Sequence, residues 1–418
     1  MKKACWATKK TMTRRLELVE HQERTARLSP EQVEYLERHV GGDLKLWRAA
    51  RGGAMRIRAG SRVGTIAAPK LEIRIRPKCG TKNLYAMLAY AFPLARIRKE
   101  LVARAETDDV RAFLIALLVE ATEALLRGGL RRGYLEREED LPVLRGRLVL
   151  EAQLRRAVTG GLSLRCRHQD YTADIADNQV IRYTLERIGG LGEPAIDARL
   201  SRLRAAFAQV ARRPFRVREL EAFHYDRLNQ HYQPVHALCR LILAGLGAED
   251  EAGSHPMGSF LVNMDDLFER FVAAWLSRAL PAPYRLRSQF SAHLDLGGAL
   301  GLRPDLVIAD AAGPRLVADT KYKLGDGRPS SSDVYQALAY CRAVGVRTAV
   351  LIYPVRRARV IYEVRDRENA VVAMGMELSQ PWPEVEASMR ALMEGLLELA
   401  GARIPGRRAG VRPHEAAP

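Results

Sequence analysis

The sequence predicts an α/β protein of the α+β type, with a small β-rich region, a mainly helical middle region and a final region containing a mixed sheet. Short segments that alternate apolar and polar residues between glycine-rich turns fill residues 1–82. Apolar residues at helical spacing dominate residues 83–252. Residues 253–400 combine helical patterns with apolar runs of strand length, and residues 401–418 form a basic tail that we expect to be disordered. A length of 418 residues suits two or three domains, each with its own core.

One helix and four strands are predicted in the β-rich region. Ser29 is placed to cap a helix that starts at Pro30, because a hydroxyl N-cap followed by proline is a typical helix start. Arg74 and Arg76 share one face of the last strand, where they could meet phosphate or an acidic protein surface. A solvated sheet face is the interpretation we favour for them. The predicted strands are Leu44–Trp47, Met55–Ala59, Gly64–Ala67 and Leu71–Ile75.

The middle region begins with two predicted helices, over residues 83–95 and 108–127. Thr107 or Asp108 is the expected N-cap of the second helix. Its apolar stripe indicates a core helix rather than a cofactor site. Gly245–Gly258 is rich in glycine and acidic residues, and we expect it to link this region to the final one.

A β-hairpin is predicted between residues 305 and 321. Two apolar runs, Asp305–Ile308 and Arg315–Ala318, flank the turn sequence Ala-Ala-Gly-Pro. Asp319 and Lys321 are two residues apart, so their side chains point to the same face of the second strand. The hairpin can bring Asp305 beside them, so that two carboxylates and an ammonium group converge.

Such a group of side chains has the chemistry of phosphate-ester hydrolysis. Carboxylate oxygens on adjacent strands suit Mg²⁺, with Mn²⁺ as an alternative, because this ion keeps several waters and shares its shell with substrate phosphate. A bound metal lowers the pKa of a water ligand and neutralises charge that develops on phosphorus. Lys321 is placed to orient that water or to stabilise the phosphorane oxygen.

Helices are predicted on both sides of the hairpin. Upstream, Asn263 or Asp265 caps a helix in which Glu269 could reach the metal directly or through water. Downstream, a helix follows the segment Ser-Ser-Ser-Asp that starts at residue 330. Gln336 and Tyr340 share one face of it and could bind a DNA phosphate or hold Lys321 in place.

Each piece also has an ordinary structural interpretation. Asp305 could cap a turn, and Asp319 and Lys321 could form a surface ion pair. Gln336 and Tyr340 could be an unremarkable helix face. We favour a catalytic site because all the pieces occur together, in order, on suitable elements.

Charge and cysteine content narrow the class of protein. The formal net charge is +18, which favours a polyanionic partner such as nucleic acid, although compositional bias is an alternative. The five cysteines are widely spaced without a C-x-x-C pair, which argues against disulfides and zinc sites and for a reducing cytoplasm. No apolar stretch reaches membrane-spanning length.

The hairpin and its flanking helices resemble the PD-(D/E)XK nuclease superfamily, on Pro304-Asp305 followed by Asp319-Thr-Lys321 in the order αβββαβ. Gln336-Ala-Leu-Ala-Tyr340 resembles the QxxxY motif of the RecB-type branch. The resemblance implies that Glu269, Asp305 and Asp319 bind metal, that Lys321 is catalytic, and that Gln336 and Tyr340 assist. Asp319-Thr320 departs from the Glu or small apolar residue of many members, but aspartate keeps the charge.

Other stretches are similar to the McrC family, the nuclease subunit of McrBC-type modification-dependent restriction systems. These stretches are Val63–Ile66, Ile73–Lys78, Leu144–Leu148, Asp177–Leu185 and Asn263–Glu269. The resemblance implies a chain that cuts double-stranded DNA and docks, through its N-terminal part, on a hexameric McrB-like AAA+ GTPase. That partner would recognise modified cytosine, and the chain would stimulate its GTP hydrolysis.

The sequence agrees with dependence on such a partner, because it lacks a G-x-x-x-x-G-K-[ST] loop for nucleotide hydrolysis. It also lacks an evident base-reading motif, so its positive charge would bind the DNA backbone without specifying sequence. Two alternatives stay open: a stand-alone RecB-like repair nuclease, and an activator of an AAA+ ring whose nuclease site has lapsed.

Overall fold

The structure is a computed structural model with an α+β architecture. It describes residues 14–49, 53–92, 109–157, 163–191, 194–246, 259–323, 328–356, 358–365 and 368–401. The predicted disordered tail, apart from Gly401, and most of the predicted linker lie outside the described residues, as do residues 93–95 of the first predicted middle helix. Among the described residues, none of the helices is both long and apolar enough to cross a membrane.

The N-terminal region is β-rich, and its four predicted strands are confirmed. The predicted helix start is confirmed as well. The Ser29 hydroxyl accepts from the Gln32 backbone N–H, and the Ser29 backbone N–H donates to the side-chain oxygen of Gln32. In the last strand, Arg74 and Arg76 pair with Glu72 and Glu17 on the face away from the core, as expected for a solvated face. In chain order the elements are β1 Arg14–Val19, β2 Glu23–Ala26, α1 Pro30–Val40, β3 Leu44–Arg48, β4 Met55–Ala59, β5 Arg62–Ala68 and β6 Leu71–Arg76.

The middle region contains helices and one sheet. The helix predicted over residues 108–127 is present, but the prediction of its cap was wrong: Asp109 is the N-cap and accepts from the N–H groups of Arg111 and Ala112. The elements are α2 Thr81–Ala91, α3 Val110–Leu126, β7 Gly133–Leu141, β8 Arg147–Leu148, α4 Leu150–Ala157, β9 Leu164–Thr172, α5 Ala176–Arg187, α6 Pro194–Ala206, α7 Val217–Glu221, a 3₁₀ turn Gln230–Tyr232, and α8 Gln233–Gly245.

The sheet of the middle region, in the order β7-β9-β8, is a difference from the mainly helical expectation. β7 and β9 pair antiparallel over nine residues each, from Gly133 opposite Thr172 to Leu141 opposite Leu164. Arginine side chains of β9 pair with acidic side chains of β7, for example Arg167 with Glu138 at 3.0 Å. Cross-strand ion pairs therefore take the place of the apolar alternation that normally identifies a strand.

The C-terminal region is built on a six-stranded mixed sheet in the order β11-β14-β15-β16-β18-β17. The predicted hairpin is confirmed as β14 and β15, which pair antiparallel on either side of Ala311 and Ala312. β16 then runs parallel to β15. The elements are β10 Phe260–Asn263, α9 Met264–Ala279, β11 Arg285–Ser288, β12 Ala292–His293, β13 Gly301–Leu302, β14 Leu306–Asp310, β15 Gly313–Thr320, α10 Ser331–Val344, β16 Thr348–Tyr353, β17 Val360–Glu363, β18 Ala370–Gly375 and α11 Trp382–Leu399.

The six-stranded sheet has an apolar layer on each face. Alternate residues of β14 belong to different buried clusters: Leu306 and Ile308 to one, and Val307 to the other. The cluster around Val307 includes Tyr340 of α10, so α10 covers that face. The opposite cluster includes Phe268 of α9 and extends into the N-terminal and middle regions.

A strand from the C-terminal region completes the N-terminal sheet. β10 pairs antiparallel with β5, which gives the strand order β1-β6-β5-β10. At the crossing Gly64 has φ +138°, and a Cβ atom there would overlap the carbonyl oxygen of Phe260. Glycine is required at this close approach of two backbones. The sheet therefore joins segments that the sequence assigned to residues 1–82 and 253–400.

Candidate active site

The site lies at one edge of the six-stranded sheet, where β14 begins and β15 ends. Leu306 lies opposite Ala318, so Asp305 and Asp319 are brought together as the hairpin closes. The backbone N–H and the hydroxyl of Thr320 both donate to Oδ2 of Asp305, at 2.8 and 2.9 Å. Asp305 is thus fixed by the end of the neighbouring strand.

Asp319 and Lys321 form a close, largely buried ion pair. Nζ of Lys321 lies 2.5 Å from Oδ2 of Asp319, and the Asp319 side chain is only 5 % exposed. The backbone N–H of Lys321 donates to the carbonyl of Ile352 at 2.8 Å, which ties this residue to β16. Burial first, and then the nearby charge of Asp305, raise the pKa of Asp319 to about 6, against the lowering effect of Lys321.

A hydrogen-bonded chain runs from Lys321 to α10. Nζ of Lys321 donates to Oε1 of Gln336 at 2.9 Å, and Nε2 of Gln336 donates to the Tyr340 hydroxyl at 2.7 Å. α10 begins at the expected place, since Ser330 and Asp333 form a capping box. Of the two roles open for Gln336, holding Lys321 matches the contact in the structure. Burial raises the pKa of Tyr340 to about 12, so its hydroxyl stays protonated at neutral pH.

Glu269 reaches the same region from α9, whose N-cap is Asn263. Burial and the charge of Asp305 raise the pKa of Glu269 to about 7. Nε2 of Gln289 donates to Oε1 of Glu269, and the backbone N–H of Gln289 donates to the carbonyl of Asp305 at 2.8 Å. Gln289 therefore connects the helix that carries Glu269 to the start of β14.

From the sequence, no role in the site was assigned to four residues of this neighbourhood. Gln289 and Thr320 hold Glu269 and Asp305, and Lys323 donates to both carboxylate oxygens of Asp333 at 2.9 and 2.6 Å. Thr320 was visible only as a departure from the superfamily pattern. Asp333 was recognised as part of a helix start, and its second role, as the partner of Lys323, left no sequence signal.

The donor set of the site is suited to a hard cation. It consists of three carboxylates, from Glu269, Asp305 and Asp319, beside one ammonium group. Unlike a second group of possible ligands, these three carboxylates do not bring all their ligand atoms within 4.8 Å of one another. Burial raises the pKa values of Glu269 and Asp319, and the nearby charge of Asp305 raises both further.

The second group of possible metal ligands is Glu139, His168 and Asp170 on β7 and β9, whose ligand atoms all lie within 4.8 Å of one another. Nε2 of His168 lies 3.3 Å from Glu139 and 3.4 Å from Asp170. Arg145 also contacts Asp170 at 2.6 Å, and Arg137 lies 3.3 Å from it. Two guanidinium groups already balance this carboxylate, so we assign the cluster to the ion-pair network of its sheet.

Comparison with solved structures gives relatives of low sequence identity. One is a chain in a refined half-complex from a tetradecameric assembly of Thermococcus gammatolerans McrB AAA+ hexamers with bound McrC. It has 19 % identity and a TM-score of 0.54, over 91 % of this chain and all of that chain. A second, in a Thermococcus gammatolerans McrBC complex, has 20 % identity and a TM-score of 0.43, over 64 % of this chain and 88 % of the other. The first similarity concerns the fold.

Comparison with curated proteins gave no match. A family model does match, over residues 57–354, and it describes an McrBC 5-methylcytosine restriction system component. The matched segment is well over half of the 418 residues and includes the carboxylates, Lys321, Gln336 and Tyr340. The chain belongs to the McrBC 5-methylcytosine restriction system family.

Proposed function

We propose that the chain is the endonuclease subunit of an McrBC-type restriction system and hydrolyses DNA phosphodiesters with Mg²⁺ as cofactor. The observation that carries the proposal is the convergence of Asp305, Asp319 and Lys321 at one sheet edge, with Lys321 held by Gln336. A buried pairing of this kind is costly for a merely structural purpose. Counting only strands of the six-stranded sheet, the order α9, β11, β14, β15, α10, β16 matches the αβββαβ order of PD-(D/E)XK nucleases and supports that assignment; the two-residue strands β12 and β13 form a separate sheet.

The residues present fit a divalent cation. All candidate ligands are carboxylate oxygens, which Mg²⁺ and Mn²⁺ prefer. Oδ2 of Asp319 is buried and makes no hydrogen bond of ordinary geometry, with the ammonium of Lys321 as its charged neighbour. Glu269, Asp305 and Asp319 would hold the ion, which when bound supplies an activated water and neutralises phosphate charge.

The protein groups have separate tasks in the proposed reaction. Lys321 stabilises the negative charge that develops on the phosphate oxygens during attack of water on phosphorus. Gln336 restricts the ammonium of Lys321, and Thr320 restricts the carboxylate of Asp305, so that little reorganisation is needed at the moment of reaction. The net charge of +18 favours contact with the DNA backbone.

An McrB-like AAA+ GTPase is the partner we propose, with docking through residues 1–82. The T. gammatolerans relative is found with McrB AAA+ hexamers and bound McrC, which supports such an assembly. Recognition of modified cytosine and GTP hydrolysis belong to the partner in this proposal. The chain itself would stimulate the hydrolysis and cut the DNA.

The experiment combines the chain with its AAA+ partner, GTP, Mg²⁺ and DNA that carries 5-methylcytosine. Asp305→Ala and Lys321→Ala should each abolish cutting while stimulation of GTP hydrolysis persists. Matched controls are Glu368→Ala and Arg342→Ala, which each remove one charge from an exposed surface ion pair; both should cut normally.

Three other outcomes would change the assignment. Loss of cutting and stimulation together would indicate that the substituted residues serve folding. Efficient cutting by the chain alone would favour a stand-alone nuclease. Stimulation without cutting in the wild type would favour an activator whose nuclease site has lapsed.

A further inference from the structure

A buried carboxyl group lies behind the candidate active site, at the end of β1. Glu20 is completely buried. Its Oε1 accepts from the backbone N–H of Lys78 at 2.7 Å and from the hydroxyl of Tyr322 at 2.8 Å. Its Oε2 is buried and has no hydrogen-bond partner. Burial of a carboxyl group with one unsatisfied oxygen is unfavourable. The presence of Glu20 at this position therefore needs an explanation in terms of its function.

The partner of Glu20 stands next to the proposed catalytic lysine. Tyr322 lies between Lys321 and Lys323, and its side chain is buried, 3 % exposed. Its ring packs against Phe268 with centroids 5.7 Å apart, and Phe268 precedes Glu269 on α9. Tyr322 therefore follows Lys321 directly in the chain and packs against the helix that carries Glu269.

The backbone at Lys321 is at the point where the chain leaves the six-stranded sheet. It lies beyond the last residue of β15, where its N–H bond to Ile352 is the continuing link to the sheet. The N–H of Lys323 turns back to the carbonyl of Lys321 at 2.7 Å. A lysine side chain is a flexible stem of four carbons, so the position of its ammonium depends on how firmly the backbone of that residue is held.

We propose that Glu20 and Tyr322 are positioning residues for Lys321. The Glu20 carboxyl fixes the Tyr322 hydroxyl, and the fixed ring in turn sets the path of the chain that delivers Lys321 to Asp319 and Gln336. The N-terminal sheet thereby contributes to the geometry of the site without touching substrate. The consequence for cleavage depends on the proposed nuclease function, but the effect on Lys321 itself does not.

The test follows Lys321 by a chemical readout and by activity. Full-length wild type, Tyr322→Phe and Glu20→Ala are treated with an acetylating reagent, and mass spectrometry gives the modification rate of Lys321 relative to exposed Lys45. In both variants Lys321 should react several-fold faster, while Lys45 does not change. Single-turnover cutting of methylated DNA with the AAA+ partner should fall about tenfold at unchanged DNA affinity, as expected for small misplacement of a catalytic group.

Two variants separate positioning from general stability. Tyr90→Phe is the matched control, because the Tyr90 hydroxyl likewise bonds a glutamate, Glu386, at 3.4 Å, and the Tyr90 ring likewise packs against α9, at Phe271. It should leave Lys321 reactivity and cutting unchanged. Glu20→Gln keeps an acceptor for Tyr322 and should restore both readouts close to wild type.

Normal Lys321 reactivity in folded Tyr322→Phe would overturn the proposal, as would equal effects in Tyr90→Phe. If Glu20→Ala does not fold, Tyr322→Phe alone decides, because it removes a single hydroxyl and keeps the ring. If the wild type does not cut DNA, the proposed function fails, but the acetylation rates still test the positioning.

Discussion

Thr320 donates two hydrogen bonds to a single oxygen of Asp305, one from its backbone and one from its hydroxyl, at 2.8 and 2.9 Å. The residue between Asp319 and Lys321 thus holds the carboxylate at the start of the neighbouring strand.

Thr320→Val should weaken the binding of Mg²⁺ without unfolding the protein. The substitution removes the hydroxyl bond and keeps the side-chain shape and the backbone bond. Loss of a group that orients a metal ligand typically lowers metal affinity about tenfold or more. The Mg²⁺ dependence of cutting, together with calorimetric titration, measures the change. An unchanged titration curve would remove Thr320 from the site.

Gln336 and Tyr340 should act as one unit. Gln336→Ala removes the acceptor for Lys321 and should slow cutting about tenfold, whereas Tyr340→Phe should cost about twofold to threefold because only the indirect contact is lost. The double variant should match Gln336→Ala alone. Single-turnover rates of all four proteins complete the cycle, and strictly multiplicative effects would show that the two side chains act separately.

Glu20 should make the stability of the protein depend on pH. Burial raises the pKa of Glu20 from 4.5 to about 7, so the native state keeps this proton in a range where the unfolded chain has released it. The native state therefore binds more protons between these values, and the free energy of unfolding falls as the pH rises through them. The shift corresponds to about 3 kcal/mol, a contribution present below pH 4.5 and lost above pH 7.

Glu20→Gln isolates this contribution, because glutamine does not titrate. Denaturant unfolding of wild type and variant at several pH values gives the comparison, and the two stability curves should diverge between pH 4.5 and 7. Other carboxyl groups of raised pKa, such as that of Glu269, are common to both proteins. Parallel curves would show that Glu20 keeps an ordinary pKa in the native state.

Glu269→Gln should stabilise the metal-free protein while it weakens metal binding. Burial and Asp305 disfavour the Glu269 charge, and the neutral amide relieves both effects. We expect a gain of about 1 kcal/mol at pH 8, because solvent that reaches this partly buried side chain reduces the full effect of the shift. Thermal unfolding with and without Mg²⁺ tests both parts. A variant less stable than wild type in EDTA would contradict the prediction.

Local patterns were sufficient for the hairpin and for the helix starts at Asn263 and Ser330. Each depends on residues close in sequence, such as the turn after Asp310 or a hydroxyl three residues before its N–H partner. The cap of α3 was misplaced because Thr107, Asp108 and Asp109 are chemically equivalent caps. The structure has Asp109 in this place, where its side chain accepts from two backbone N–H groups.

Contacts between distant segments could not be predicted in this way. Glu20 and Tyr322 are 302 residues apart, and no local sequence pattern around either residue predicts the contact between them. β7 escaped recognition because its sequence, GYLEREEDL, is charged on both faces and its partner lies beyond an intervening helix. The hairpin pattern and the flanking helices supplied the candidate site, and the resemblance to a known family added the roles of its residues, whereas the supporting contacts required coordinates.

The pairing of β10 with β5 restricts how the protein can be divided. Phe260, Leu261 and Val262 are each at most 4 % exposed, since β10 lies against a strand almost two hundred residues earlier. A fragment cut at residue 252 would carry this apolar strand with its neighbour missing, and its free backbone groups would invite aggregation. A proteolytic or engineered nuclease fragment should therefore be insoluble unless the first ninety or so residues are supplied in trans.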